Sequence, residues 1–121
     1  MSDEKAIKIC VESYYESLYT SDAEGVREVF HENAMIAGYL PDGLVQMTVD
    51  QFAEFVGAQQ PSPSASNAPK MLEIVSCEYA GATAAVLLRE SYLGMDFFDT
   101  FSLLKVDDRW KIYNKLFHVE E

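Results

Sequence analysis

The sequence predicts an α+β fold, with a strongly curved antiparallel sheet of about six strands wrapped around three helices and a cone-shaped pocket between them. Two observations carry most of this. Patterns appear in the order helix, helix, hairpin, helix and then four long strands. Those last four runs, of roughly ten residues each, are joined by tight turns, and paired strands of that length twist and curl strongly. A third observation sets the scale: 121 residues, 49% hydrophobic and 12% aromatic, suffice for one core and one domain spanning 1–121.

Taking the elements in order, Ile7, Cys10, Val11, Tyr14 and Leu18 recur at the spacing of one helical face, which predicts a helix from Asp3 to Thr20. Ser21 or Asp22 can N-cap a second, short helix that buries Val26, Val29 and Phe30. His31 then ends that helix, where a positive charge meets the helix dipole favourably. The run AMIAGYL, the turn PDG and the run LVQMT form a hairpin. Thr48 or Asp50 caps a third helix burying Phe52, Phe55 and Val56. The segment from Gln59 to Pro69 holds three prolines and sustains neither periodicity, so it is a loop, either a lid or a plain connector. The four strands follow, divided by Gly81, Gly94 and the pair Asp107–Asp108.

Twenty acidic against nine basic residues give a net charge of −11, which repels phosphate backbones and anionic headgroups. Nucleic acid and membrane partners are therefore not expected. The start MSDEKAIK has no basic or apolar leader pattern, and no apolar run approaches the ~20 residues of a membrane span, so the expected location is cytoplasmic. Two cysteines at unrelated positions and two histidines offer no metal-ligand spacing, and no phosphate-cradling, nucleophile-elbow or zincin motif occurs. No metal or cofactor is expected.

A resemblance extends over nearly the whole chain. It is carried by YYESLYTSDAEGVREVFHENAMIAG, PDG, VDQFAEFV, CEYAGATAAVLL and above all FFDTFSLLKVDDRWKIYNKLFH. These segments resemble the nuclear transport factor 2-like superfamily, with its cystatin-like cone fold and its ketosteroid isomerase, scytalone dehydratase and polyketide cyclase members. The C-terminal segment is similar to the subgroup named putative lumazine-binding. The resemblance implies a homodimer through the outer sheet face and a pocket between sheet and helices. It also implies a carboxylate base on the first strand in the enzymes of the superfamily. Here that segment reads Met35, Ile36, Ala37, Gly38, and none of them accepts a proton.

The candidate residues follow from register. A two-residue turn at Asp107–Asp108 pairs Val106 with Arg109, Leu103 with Ile112, Phe101 with Asn114 and Asp99 with Leu116. One face then carries Phe97, Asp99, Phe101, Leu103, Trp110, Ile112, Asn114, Leu116 and His118, and the other carries Phe98, Thr100, Ser102, Leu104, Lys111, Tyr113, Lys115 and Phe117. The first is the inner face and the second the dimer face. Asp99 and Asn114 are then polar anchors in an apolar wall, or members of an internal hydrogen-bond network. A three-residue turn would instead set Asp99 beside Lys115 as an ion pair. Tyr14, Tyr39, Phe52, Phe55, Tyr92 and Trp110, with Met47, are candidates to line the cavity, and each could equally be core. Glu90 lies between Leu88 and Tyr92 on one strand face, inner or outer. Asp99 and His118 are the candidates for acid or base work. The functional expectation is a binder of a small apolar or ring-containing molecule. The rivals are an enzyme of the isomerase, cyclase or dehydratase type and a structural dimerisation module.

Overall fold

The computed structural model describes residues 2–120. Helix α1 spans Asp3–Tyr19 and α2 spans Ala23–Val29; strands β1 (Phe30–Leu40) and β2 (Gly43–Thr48) form the first hairpin, and α3 covers Val49–Gly57. Strands β3 (Leu72–Ala80), β4 (Thr83–Tyr92), β5 (Met95–Val106) and β6 (Arg109–Val119) complete the chain. Each helix starts where a side chain can satisfy an orphan backbone donor. Ser2 accepts from the Lys5 N–H, Asp22 from the Gly25 N–H, and Thr48 shares a reciprocal capping box with Gln51. The α1 stripe of Ile7, Val11, Tyr14 and Leu18 is wholly buried. Among the described residues no helix is long and apolar enough to cross a membrane.

The sheet order is β2-β1-β6-β5-β4-β3. Every pairing is antiparallel except one: β1 and β6 run parallel, so the sheet is mixed where an antiparallel one was expected. The reason is topological. The hairpin β1–β2 and the meander β3–β6 are separate antiparallel units, and the long path through α3 lets the last strand return to the free edge of β1 in the same direction. Helix α1 packs on β3, β4 and β6, while α3 packs on β1 and β2, which leaves the two helices covering different parts of the inner face.

The last hairpin turns through Asp107 and Asp108, both with positive φ (50° and 64°), in the two-residue form expected. Val106 faces Arg109 and Leu103 faces Ile112, also as expected. Then the register shifts. Ser102 faces Asn114, Phe101 faces Lys115 and Asp99 faces Phe117, because a bulge at Tyr113 inserts one residue into β6. Beyond it every side chain changes face. Lys115 and Phe117 are buried, whereas Leu116 and His118 are exposed and Asn114 is half-buried with its side on the outer parity. The inward placement of Asn114, Leu116 and His118, and the outward placement of Lys115 and Phe117, are thus corrected.

One further expectation changes. Helix α2 ends at Val29, and Phe30 is already extended (φ −96°, ψ 146°), so His31 lies on β1 rather than at a helix C-terminus. There its Nδ1 accepts from the Asn33 N–H at 3.0 Å. The segment 59–69 is pinned to the end of α1: Ser64 N–H donates to the Tyr19 carbonyl (2.8 Å), the Tyr19 hydroxyl to the Ala68 carbonyl (2.7 Å) and the Ser21 hydroxyl to the Gln59 carbonyl (2.7 Å).

Candidate functional site

Where α1 gives way to α3, the inner face is not filled. A cavity of about 270 Å³ lies there, lined by Leu18, Leu40, Val45, Met47, Phe52, Phe55, Tyr92, Leu93, Met95, Phe97 and Phe117, and by two charged residues, Glu90 and Lys115. Strand alternation aims Glu90 inward from β4, in the row Ala84, Val86, Leu88, Glu90, Tyr92. The β6 bulge aims Lys115 inward from the other side.

Tyr14 of α1 joins the two. Its hydroxyl donates to Glu90 Oε2 at 2.6 Å and accepts from Lys115 Nζ, while Nζ stands 3.8 Å from the same carboxylate oxygen. The ammonium position also lies over three rings, 4.8 Å from the centroids of Tyr14 and Phe52 and 5.5 Å from that of Phe117. Glu90 Oε1 and the Tyr92 hydroxyl are buried with no hydrogen-bond partner among the described residues. The floor of the cavity therefore holds one engaged and one unengaged carboxylate oxygen beside an amine.

Burial governs the protonation of this group. It pushes the Glu90 carboxyl up, against the opposing pull of Lys115 and the Tyr14 hydrogen bond, and it pushes the Lys115 amine down, against the pull of Glu90. Burial also raises the Tyr14 hydroxyl well above its ordinary value, and the charge of Glu90 raises it further. Tyr92 is raised for the same two reasons. The gap between acid and amine is thus narrowed from both sides.

The region is closed at the position where enzymes of the resembled superfamily carry their base. Of Met35, Ile36, Ala37 and Gly38 on β1, Ile36 and Gly38 face inward, and a Cβ built on Gly38 would collide with the carbonyl oxygen and the ring of Phe117. Phe117 occupies the space that a side chain there would need.

The family model described as Putative lumazine-binding matches residues 2–118. The chain belongs to this family. Its fold is that of the nuclear transport factor 2-like proteins. A protein of that type and of unknown function from Silicibacter pomeroyi DSS-3 superposes with a TM-score of 0.86 at 20% identity, covering 99% of this chain and 100% of the other. One from Methylobacillus flagellatus KT gives 0.84 at 23% identity over 100% and 96%. One from Shewanella baltica OS155 gives 0.82 at 24% over 97% and 93%. No curated protein matches the chain.

In this member of the putative lumazine-binding family, the residues singled out from sequence are scattered. Phe52, Phe55, Tyr92 and Met47 line the cavity, with Phe55 at its rim and 41% exposed. Tyr14 lies behind the floor and reaches the cavity only through Glu90 and Lys115. Trp110 is buried elsewhere, its indole N–H donating to Asp3 at 3.3 Å. Tyr39 is exposed, with its ring 6.3 Å from that of His118 on the outer face. Asn114 is outside. Asp99 does face inward and is wholly buried, but it does not line the cavity, and neither of its oxygens has a partner among the described residues. The 59–69 segment does not cover this cavity; Pro63, Ala68 and Pro69 wall a neighbouring one that shares Tyr92 and Leu93 with it.

Of the two charged residues of the floor, the sequence leaves Glu90 inner or outer and sets Lys115 on the outer face or beside Asp99. For Glu90 a signal existed: an acid in an otherwise apolar alternating row on a central strand. For Lys115 the alternation pointed the wrong way, because the bulge is silent in the pattern.

Proposed function

We propose that the chain binds a small, largely apolar, ring-containing molecule in this cavity, with one polar end of the ligand resting on Glu90 and Lys115. The observation that carries this reading is the cavity itself: about 270 Å³ walled by aliphatic and aromatic side chains, with a buried carboxylate oxygen left free at its floor. A few fixed polar groups in an apolar pocket orient a ligand, and an unpaired buried oxygen is a place for a ligand donor. The family's name points to a lumazine, a flat bicyclic ring system edged with several donors and acceptors. The three polar groups here, Glu90, Lys115 and Tyr92, suit a ring with fewer of them, so a lumazine and a naphthalene of similar size belong in the same binding panel. Calorimetry with both should give saturable one-site binding to the apolar ring, weakened by about ten- to a hundredfold in Glu90→Gln. Heats of dilution alone from every ring compound would end this reading.

Nothing favours acid or base work by the two residues first considered for it: His118 is on the outer face and Asp99 stands away from the cavity wall. The homodimer is part of the proposal, and so is the cytoplasmic location. Met35, Tyr113 and Leu116 are 44%, 41% and 49% exposed on adjoining strands of the outer sheet face. Such a face pairs favourably with a second copy of itself. Sedimentation at tens of micromolar would show twice 13.6 kDa, and Leu116→Glu would return the monomer.

A further inference from the structure

We propose that Lys115 is a carbonyl-capturing amine that forms an imine with an aldehyde or ketone carried by the small apolar ligand of this cavity. The inference rests on reading the cavity as a ligand site and goes beyond it, to a class of ligand and a covalent step.

Three features of the geometry separate this amine from a structural one. It opens onto a cavity, although it is only 6% exposed. Its carboxylate partner is 3.8 Å away, beyond hydrogen-bond distance, and the Tyr14 hydroxyl bridges the two. A pair held for stability alone would be expected to satisfy both carboxylate oxygens, yet Glu90 Oε1 has no partner among the described residues. The groups that face the amine are Tyr14 from α1, Phe52 from α3, Glu90 from β4 and Phe117 from its own strand. Three of these four present rings, whose faces do not replace the water that the ammonium loses on burial. Burial indeed lowers the Lys115 pKa from its ordinary value. A desolvated lysine in an apolar pocket is an activated nucleophile toward carbonyl groups.

The step balances with the protons already present. Start from neutral Lys115 and protonated Glu90, the same proton count as the ion pair. The nitrogen lone pair attacks the carbonyl carbon, a C–N bond forms and the C=O π electrons move to oxygen. One nitrogen proton passes to that oxygen, giving the carbinolamine. Glu90 then protonates the hydroxyl, the C–O bond breaks and water leaves. The iminium that remains carries the positive charge beside the Glu90 carboxylate. Nothing is oxidised or reduced, and the product restores an ion pair in place of the original one.

The test uses 2-naphthaldehyde with cyanoborohydride, and 2-naphthalenemethanol as a probe of matching size that lacks the carbonyl. The expected result is one naphthylmethyl group on Lys115, placed there about a hundredfold faster than on Lys5, Lys8, Lys70, Lys105 or Lys111, as positioned acid and base groups allow. Excess 2-naphthalenemethanol should protect Lys115 in the unaltered protein, which makes the test independent of whether a variant folds. Lys115→Met should lose the adduct. Glu90→Gln, checked for folding by circular dichroism, should slow its formation about tenfold or more. If the alcohol binds in the cavity while the aldehyde labels Lys115 no faster than the surface lysines, imine formation is overturned and the ligand site stands. If neither compound binds, both readings fall.

Discussion

The inner face of the sheet has two halves that solve opposite problems. Under α1, the side chains of Val86, Phe101, Leu103 and Ile112 meet Ile7, Val11 and Tyr14 in a fully buried layer. Toward α3, the same strands continue into Glu90, Tyr92, Phe97, Lys115 and Phe117, and the helix layer no longer fills the space. The site is therefore made by helix length and placement as much as by the sheet. A long helix seals one half and a nine-residue helix leaves the other open. Two strands cross from the sealed half to the open one carrying a charge, and only there can the charge meet something other than protein.

The largest effect expected is in the sealed half. Phe101 is wholly buried, with its ring 4.9 Å from that of Tyr14 at 88°. Phe101→Ala should cost about 4 kcal/mol of stability, since close packing there leaves an uncollapsed void. Met47→Ala, on the cavity wall where space already exists, should cost no more than about 1.5 kcal/mol. Urea unfolding of the two variants measures the contrast directly. Equal losses would mean that the open half is as tightly packed in solution as the sealed one.

Next come the floor residues. Removing one partner of a buried pair strands the other, so Lys115→Met and Glu90→Gln should each cost about 3 kcal/mol, while the double variant returns to within about 1 kcal/mol of the parent. Their pH dependences should have opposite sign. In Lys115→Met the remaining Glu90 has a folded pKa raised by burial, so its contribution is fully present below the unfolded carboxyl value near 4.5 and is lost as pH rises through the folded value. In Glu90→Gln the remaining Lys115 has a lowered pKa; the unfolded chain binds the extra proton between that value and 10.5, so stability rises with pH across that window. Thermal melts at several pH values would show the two slopes. Parallel slopes would place these groups in solvent.

The two floor residues also mark how far the sequence could be read. Helix caps at Asp22 and Thr48, the two-residue turn at Asp107–Asp108 and the α1 stripe are local, and local chemistry decides them. Strand β4 alternates without interruption on both sides of Glu90, so its row is legible once one member is known to be buried. On β6 the bulge at Tyr113 reverses parity, and nothing in KIYNKLF announces it, because a bulge is settled by pairing with β1 and β5 together. The same non-local pairing decides the parallel β1–β6 ladder. The misplaced side chains of β6, from Asn114 to His118, are all downstream of that one inserted residue.

Asp99 tests whether burial in the sealed half implies use. It is wholly buried between Leu88 on β4 and Phe117 on β6, and neither carboxyl oxygen meets a donor among the described residues. An unpartnered buried polar group costs stability, and an apolar replacement of similar shape removes that cost. Asp99→Leu should therefore raise stability by about 2 kcal/mol and leave 2-naphthalenemethanol binding unchanged within about twofold. A large loss of stability instead would show that the carboxyl has a partner in solution.

The smallest effect belongs to the lip of the open half. Leu93 and Gly94 form the two-residue turn between β4 and β5, with φ of 54° and 78°. That turn type favours asparagine before glycine, and a leucine held at positive φ costs roughly 1 kcal/mol relative to the residues that tolerate it. The equivalent turn between β5 and β6 uses Asp107 and Asp108, a residue type that does tolerate it. Of these two turns the departing one lies at the cavity, with Leu93 41% exposed at its edge. Leu93→Asn should relieve the backbone and raise the melting temperature by about 4 °C, the equivalent of about 1 kcal/mol in a domain of this size. The same change removes apolar surface from the lip and should weaken 2-naphthalenemethanol binding by about three- to tenfold. Stability gained without any loss of affinity would mean that the ligand sits deeper than the turn, against Glu90 and Lys115 alone. Stability lost would mean that the Leu93 side chain contributes more through its contacts in the open half than its backbone conformation costs.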